Sequence, residues 1–295
     1  MNSLPLSVII PTYNRLDVLK MCLESIGQQT LSPDRFEVLI INDSSSEEYH
    51  SHLQELAKAQ KFNVKVIKNR SKGPASARNY GVELSKGKII LFLNDDVILN
   101  EIHLQEHLKV HSENENVAVR GKTIWHPDCL STNLMKWLSK VFFVYHPDMN
   151  KNNCTFIYFH TCDLSIGRHW FEKEKFDEDF PYAAYEDTEF GYRLEKKYGL
   201  RLVFCESAVS QHHHFYNLRD HIRRAKINGI SGAVFSKKHP ELNYRVVDLF
   251  LKMPQREKLK KILGLMLRFK INTEEFYSLI YDYFYARALL RHLNR

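Results

Sequence analysis

The feature that most constrains this chain is an unbroken apolar run, Ile89-Ile90-Leu91-Phe92-Leu93, that stops on three polar residues, Asn94-Asp95-Asp96. A strand with one wet face alternates apolar and polar residues. This run does not alternate, so both of its faces must be covered. Ser7-Val8-Ile9-Ile10, Phe36 to Ile41 and Val64-Lys65-Val66-Ile67 are further β-rich runs. Between them, Leu16 to Gln28 carries Val18, Leu19, Cys22, Leu23 and Ile26 on one helical face, and 47–59 and 75–85 also read as helices. Such strands alternating with helices predict an α/β fold with a mainly parallel sheet, flanked by helices on both faces.

In sheets of this kind ligands gather beyond the carboxyl ends of the strands. Three of those ends are polar or acidic here: Thr12-Tyr13-Asn14-Arg15, Asn42-Asp43-Ser44 and Asn94-Asp95-Asp96. Their convergence predicts a site. Neighbouring carboxylates at the end of a buried strand are costly unless a cation or protons neutralise them. Oxygen ligands suit Mg2+ or Mn2+, which commonly bind through one or two carboxylates plus substrate phosphates. Asp95-Asp96 therefore reads as a metal and diphosphate site or as a solvated strand-end turn.

Three other segments carry titratable groups. Tyr185 to Arg193 opens a helix with Glu186, Asp187 and Glu189 near its start. Carboxylates there cap the helix dipole, or one of them serves as a general base for a substrate hydroxyl. His212-His213-His214 follows the strand-like Leu202-Val203-Phe204, and three successive histidines cannot all turn to one ion. His103, His107 and His111 recur at helical spacing without the glutamate of an H-E-x-x-H motif. They are expected on a half-buried helix face.

The stretch 113–160 is less regular and rich in aromatics, among them Trp125, Trp137, Phe156 and Tyr158. These are expected to form core for a second, mixed part of the sheet, or a stacking platform for a sugar ring. Beyond 218 the chain reads as helical. Residues 256–270 set Leu259, Ile262, Leu263 and Met266 beside several lysines and arginines, a basic amphipathic pattern. Such a helix can lie on anionic lipid, pack on the rest of the chain or pair two copies in a homodimer.

The five cysteines are scattered and never in a C-x-x-C pair, which argues against a disulfide framework or zinc site and fits a reducing compartment. The opening Met1-Asn2-Ser3-Leu4-Pro5 is not expected to act as a signal peptide, and no apolar run approaches the roughly 20 residues of a membrane span. A cytoplasmic protein is expected, with any membrane contact peripheral and on the inner face. The net charge of +7 favours anionic partners. It does not favour nucleic acid, because acidic strand ends repel a phosphate backbone unless a metal intervenes. Neither G-x-G-x-x-G nor G-x-x-x-x-G-K-[ST] occurs, which disfavours dinucleotide and P-loop enzymes.

Taken in order, several segments resemble the family 2 glycosyltransferases of the GT-A fold. They are Ser7 to Arg15, Val38 to Ser45, Gly73 to Gly81, Phe92 to Asp96, Thr161 to Ser165, Glu186 to Leu194 and the histidine cluster. Each is weak alone, but seven in the family's order over roughly 5–215 make a specific match, while the last 80 or so residues carry none. The resemblance implies a Rossmann-like GT-A catalytic domain over 1–217, with a nucleotide-binding half at 1–100 and an acceptor-binding half at 101–217. Residues 218–295 would be a helical C-terminal extension.

It also implies roles. Pro11 and Asp43 would hold the nucleotide base, with Tyr13, Arg15 and Arg78 near the base or diphosphate. Asn94 and Asp95 look like the ribose-side members of the family's D-x-D-type motif, and Asp96 like its ligand for Mn2+ or Mg2+. His212 resembles the histidine some members add to the metal site, with His214 as the substitute. Asp187 would be the catalytic base, with Glu186 beside it shaping the acceptor site. Asn94 stands where aspartate is common, and Asp163 where asparagine is usual, which leaves Asp163 open to a metal or acceptor contact. The reaction implied is an inverting transfer of a sugar from a nucleotide-sugar donor, UDP-sugar by default, to a saccharide or glycolipid acceptor. Bacterial surface polysaccharide synthesis is the family's habit. The alternatives are a non-catalytic membrane-surface module and a nucleic-acid-binding protein. A sugar nucleotidyltransferase would open with a Gly-rich loop where Pro11-Thr12-Tyr13-Asn14 stands.

Overall fold

The computed structural model describes residues 4–43, 46–143, 150–242, 264 and 273–293. The basic amphipathic pattern at 256–270 lies outside them, apart from Gly264, as do Ser44 and Ser45. The chain divides into two compact units. One is drawn from Met1–His126, Tyr145–Asp179 and Glu186–His214, the other from Pro127–Val144, Phe180–Tyr185 and Phe215–Arg295.

The first unit holds the strands β1 (Leu6–Thr12), β2 (Phe36–Asn42), β3 (Val64–Lys68), β4 (Ile89–Leu93), β5 (Val97–Leu99), β6 (Val117–Trp125), β7 (Asp163–Gly167) and β8 (Arg201–His212). They form one sheet in the order β3-β2-β1-β4-β7-β6-β8-β5. The β3-β2-β1-β4 half is parallel throughout. The other half is mixed: β7 runs antiparallel to β4 and β6, β6 and β8 are parallel, and β5 is antiparallel to β8.

The absence of alternation in β1, β2 and β4 is explained by what covers them. Leu6, Val8 and Ile10 face a cluster with Leu19, Cys22, Leu23 and Ile26 of α1 (Leu16–Gly27), Tyr49 and Leu53 of α2 (Glu47–Lys58) and Leu104 of α4 (His103–Glu113). Ile9, Leu39 and Ile41 face the opposite cluster, with Ala75, Ala77 and Val82 of α3 (Pro74–Leu84) and Phe190 and Leu194 of α6 (Glu186–Tyr198). Successive side chains on a strand point to opposite faces, so two covered faces demand an apolar residue at every position.

The second unit contains α5 (Asn133–Val141), α7 (Leu218–Lys238) and α8 (Glu274–Leu293). An Asn217–Asp220 capping box starts α7. Gly229 and Gly232 let α8 approach, since a Cβ on Gly229 would lie 2.2 Å from the carbonyl oxygen of Tyr285. His221 of α7 is buried against the Tyr277 carbonyl and sits edge-on to Trp137 of α5, with ring centroids 5.4 Å apart. Among the described residues no helix is long and apolar enough to cross a membrane, and none of the five cysteines forms a disulfide.

Candidate functional site

The acidic turn follows directly from β4. Asp95 and Asp96 are 4% and 2% exposed, a placement that needs compensating partners. Thr12, at the carboxyl end of the neighbouring β1, donates its hydroxyl to Asp95 Oδ2 at 2.8 Å and is itself 2.8 Å from the Tyr49 hydroxyl. Arg15 reaches in from the loop after β1, donating from Nη1 to Asp95 Oδ1 at 3.0 Å and from Nη2 to Asp96 Oδ2.

The histidines arrive from the far edge of the sheet. Antiparallel pairing sets His212 opposite Val97, the residue after Asp96. His212 Nε2 is consequently 3.3 Å from Asp96 Oδ1, and His214 Nδ1 is 3.1 Å from Asp96 Oδ2 and 3.0 Å from Arg15 Nη2. His213 points away and packs against the His126 ring, as alternation along an extended segment requires. β8 is longer than the short strand expected from Leu202-Val203-Phe204; its twelve residues carry the chain from the sheet's base to Asp96.

Burial and the neighbouring Asp96 push the Asp95 carboxyl up to about 7, against the pull of Arg15. Burial would raise Asp96 too, but His212, His214 and Arg15 outweigh it and hold that carboxyl below the usual range. Two adjacent carboxylates with divergent affinities for protons mark a place prepared for positive charge. Asp96 Oδ1 is buried and has no hydrogen-bond partner among the described residues. A carboxylate oxygen left open beside an imidazole nitrogen is a donor set that suits Mn2+, and Mg2+ less well.

Asp43, at the end of β2, accepts from the Gly73 amide at 3.0 Å and from Asn69 Nδ2 at 2.8 Å. Gly73 has φ +104, a conformation that favours glycine, and Pro74 begins α3 immediately after it. Pro11 lies half-buried in β1, Tyr13 is 58% exposed beyond it, and Asn94 is half-buried at the end of β4.

Arg78 of α3 is buried with Glu186 and donates to its Oε1 at 2.7 Å. Burial and Asp187 raise the Glu186 carboxyl, with Arg78 opposing them. Asp187 beside it accepts from the Thr161 amide at 3.0 Å and the Thr188 amide at 2.8 Å. Burial works against its charge, but His160, Arg78 and these amides prevail and lower its carboxyl. The next residue along from Thr161 completes a link: the Cys162 carbonyl accepts from the Asn94 amide at 3.2 Å. Two consecutive residues thus join the Asp187 carboxylate to the acidic turn.

The structure corrects the placement of the α4 histidines. His103 and His107 do not lie on a half-buried face; both are fully buried with Asp163 of β7. Their Nε2 atoms lie 3.0 and 3.1 Å from Asp163 Oδ1, and Ser210 donates to Oδ2 at 2.7 Å. His103 Nδ1 donates to the Val209 carbonyl at 3.2 Å, while Ser165 bridges His107 and His111 at 2.8 Å each. Asp163 therefore joins a buried cluster, and none of its hydrogen bonds reaches Asp96 or Asp187. The middle aromatics are divided: Trp125 is buried edge-on to His212, and Phe156 packs on Tyr192. Tyr49 is a site residue that carried no signal in the sequence, since its hydroxyl gains a role only from the Thr12 and Arg15 it meets.

Glycosyl transferase family 2 matches residues 7–174, more than half of the chain. The chain belongs to that family. It is 24% identical over 267 residues to the chondroitin synthase of Escherichia coli, covering 80% of this chain and 38% of that protein. In structure it is similar to a mannosyltransferase from Pyrobaculum calidifontis in complex with GDP-Man and Mn2+, at a TM-score of 0.63 and 17% identity, covering 98% of this chain and 86% of that one. It is also similar to residues 1–349 of S. aureus TarS in complex with UDP, at a TM-score of 0.58 and 16% identity, covering 97% and 90%. These likenesses establish the GT-A fold. The matched part spans 15% to 38% of the length of the first curated relatives.

Proposed function

We propose that this chain is a metal-dependent, inverting glycosyltransferase that moves a sugar from a nucleoside-diphosphate sugar, a UDP-sugar, to a hydroxyl of a saccharide or glycolipid in bacterial surface-polymer synthesis. The observation that carries the reading is the buried Asp95-Asp96 pair, bracketed by Arg15, His212 and His214 and tied through Thr161-Cys162 to Asp187. Asp96 Oδ1 and His212 would hold Mn2+ or Mg2+, with His214 as the substitute imidazole. When bound, the ion supplies positive charge for the departing diphosphate.

The chain's own groups supply the rest. Pro11, Tyr13 and Asp43 line the nucleotide end, Asn94 and Asp95 the ribose, and Arg15 and Arg78 offer positive charge to the diphosphate. Asp187, ionised at neutral pH, takes the proton of the acceptor hydroxyl. That oxygen attacks the anomeric carbon as the bond to the diphosphate oxygen breaks, and the electron pair leaves with the nucleotide. Glu186 is bound to Arg78, which disfavours it as a covalent nucleophile and supports single displacement.

The two similar structures hold nucleotides of different bases, UDP and GDP-Man, so donors must be tried in parallel. We expect a UDP-sugar with Mn2+ to raise the melting temperature more than either alone or GDP-mannose. Asp187→Asn should bind that donor as the wild type does and lose transfer by about 10³-fold, the span of a positioned general base. Transfer by Asp187→Asn at the wild-type rate removes the base from this scheme.

A further inference from the structure

The buried Asp163 cluster ties together three segments that adjoin residues of the proposed site: α4, the end of β8 and the stretch from Thr161 into β7. We propose that Asp163 is a positioning residue, the knot that fixes Thr161-Cys162, the start of α4 and the end of β8 relative to one another. This rests on the reading of Asp96 and Asp187 given above.

The ties are direct. Through His103 and His107, Asp163 holds α4, which follows the acidic turn and β5 in the chain. Through the Ser210 hydroxyl it holds β8 two residues before His212, and His103 adds a second tie to β8 at the Val209 carbonyl. By its own backbone it continues Thr161-Cys162, whose amide and carbonyl meet Asp187 and Asn94. Arg120 of β6 clamps the same stretch from below, donating from Nη1 to the Asp163 carbonyl at 3.0 Å and the His160 carbonyl at 3.4 Å.

Chemistry favours a knot over a second metal centre. The ligand atoms of His103, His107 and Asp163 lie within 4.8 Å of one another, close enough for an ion. Yet each already has its hydrogen bond. Both His103 nitrogens are already engaged, one with the Val209 carbonyl and the other with the Asp163 carboxylate. The buried Arg120 guanidinium adjoining the cluster opposes a further cation. Room has also been kept for the carboxylate, since a Cβ on Gly121 would lie 2.2 Å from Asp163 Oδ2.

The experiment compares Asp163→Ala and Asp163→Asn with the wild type by hydrogen exchange and steady-state kinetics. In Asp163→Ala the Thr161 and Asn94 amides should lose protection while β1 and β2 keep theirs. Its kcat should fall by about 10²-fold, the effect of a shift of about 1 Å in reacting groups, with donor KM little changed. Asn keeps the acceptor for both imidazoles, so Asp163→Asn should recover to within about tenfold. Where Asp163→Ala does not fold, Ser210→Ala removes the hydroxyl tie to β8 and its contact with Thr123 while leaving the Val209 tie, and should lower kcat in a chain that still folds cooperatively. Unchanged amide protection, or a wild-type kcat in the folded variant, overturns the proposal. So does an equivalent of metal that the wild type retains and His107→Phe loses. Altered exchange in a chain that transfers no sugar leaves the knot standing and removes the catalytic reading instead.

Discussion

Two clusters in the first unit are made from the same side chains and differ in what they leave unfinished. At the end of β4, Asp96 meets His212 and His214; under β7, Asp163 meets His103 and His107. Asp163 uses both carboxylate oxygens, and its imidazole partners have second acceptors or hydroxyls behind them. Asp96 leaves Oδ1 without a hydrogen bond, and its partner Arg15 stays one-third exposed. A finished network rigidifies a scaffold, whereas an unfinished one keeps valence for something that arrives. Aspartate and histidine in company therefore say little by themselves; the state of the last oxygen separates binding from bracing.

The largest expected effect breaks the comparison at its open end. Asp96→Ala should abolish the stabilisation that donor and Mn2+ together give the wild type, a weakening of donor binding by more than about 10²-fold, or ~3 kcal/mol. Thermal melts across a Mn2+ titration read it directly. An undiminished shift in the variant assigns the metal elsewhere.

At the closed end the loss should appear in stability. Gly121→Ala presses a methyl against a carboxylate that three hydrogen bonds hold in place. Overpacking of this kind costs ~1–3 kcal/mol, to be read from the urea midpoint. Donor and Mn2+ should still stabilise what remains folded. A variant as stable as the wild type would show that the cluster yields, and the contrast between the two sites would weaken accordingly.

The open site was more legible in the sequence than the closed one, for a physical reason. Ile89–Leu93 and its neighbours lack alternation, so they had to be covered on both faces, and Thr12, Asp43 and Asp95 then had to lie at strand ends on one side. Local pattern sufficed. Asp163 is 60 residues from His103 in sequence, and its meeting with α4 depends on β7 running antiparallel beside β4 and β6, which no periodicity announces. The same limit hid the hydrogen bonds of Thr12 and Tyr49, and it placed Arg15 beside the nucleotide when its side chain also neutralises the acidic pair. His213 shows the converse: simple alternation was enough to exclude it from sharing Asp96 with its neighbours.

The smallest effect is electrostatic and sharpens the comparison further. His111 lies at the outer end of the α4 row, its Nε2 2.8 Å from Ser165 Oγ. Burial, followed by His107 and His169, presses its ring down from the ordinary value to about 3. Between those limits the unfolded chain binds a proton that the folded chain refuses, so stability must fall as pH drops from about 6.5 toward 3. The slope from one such group is at most ~1.4 kcal/mol per pH unit. Asp163 has a lowered carboxyl, so its share is present above the ordinary carboxylate range and is lost only as pH falls below it. The raised Asp95 carboxyl also responds between pH 6.5 and 4.5, so it is the difference between wild type and His111→Gln that isolates this imidazole. Urea midpoints should converge as pH falls through that interval, because the variant has no proton to refuse. Parallel curves would mean that His111 titrates normally in the fold and that the closed cluster ends at Ser165.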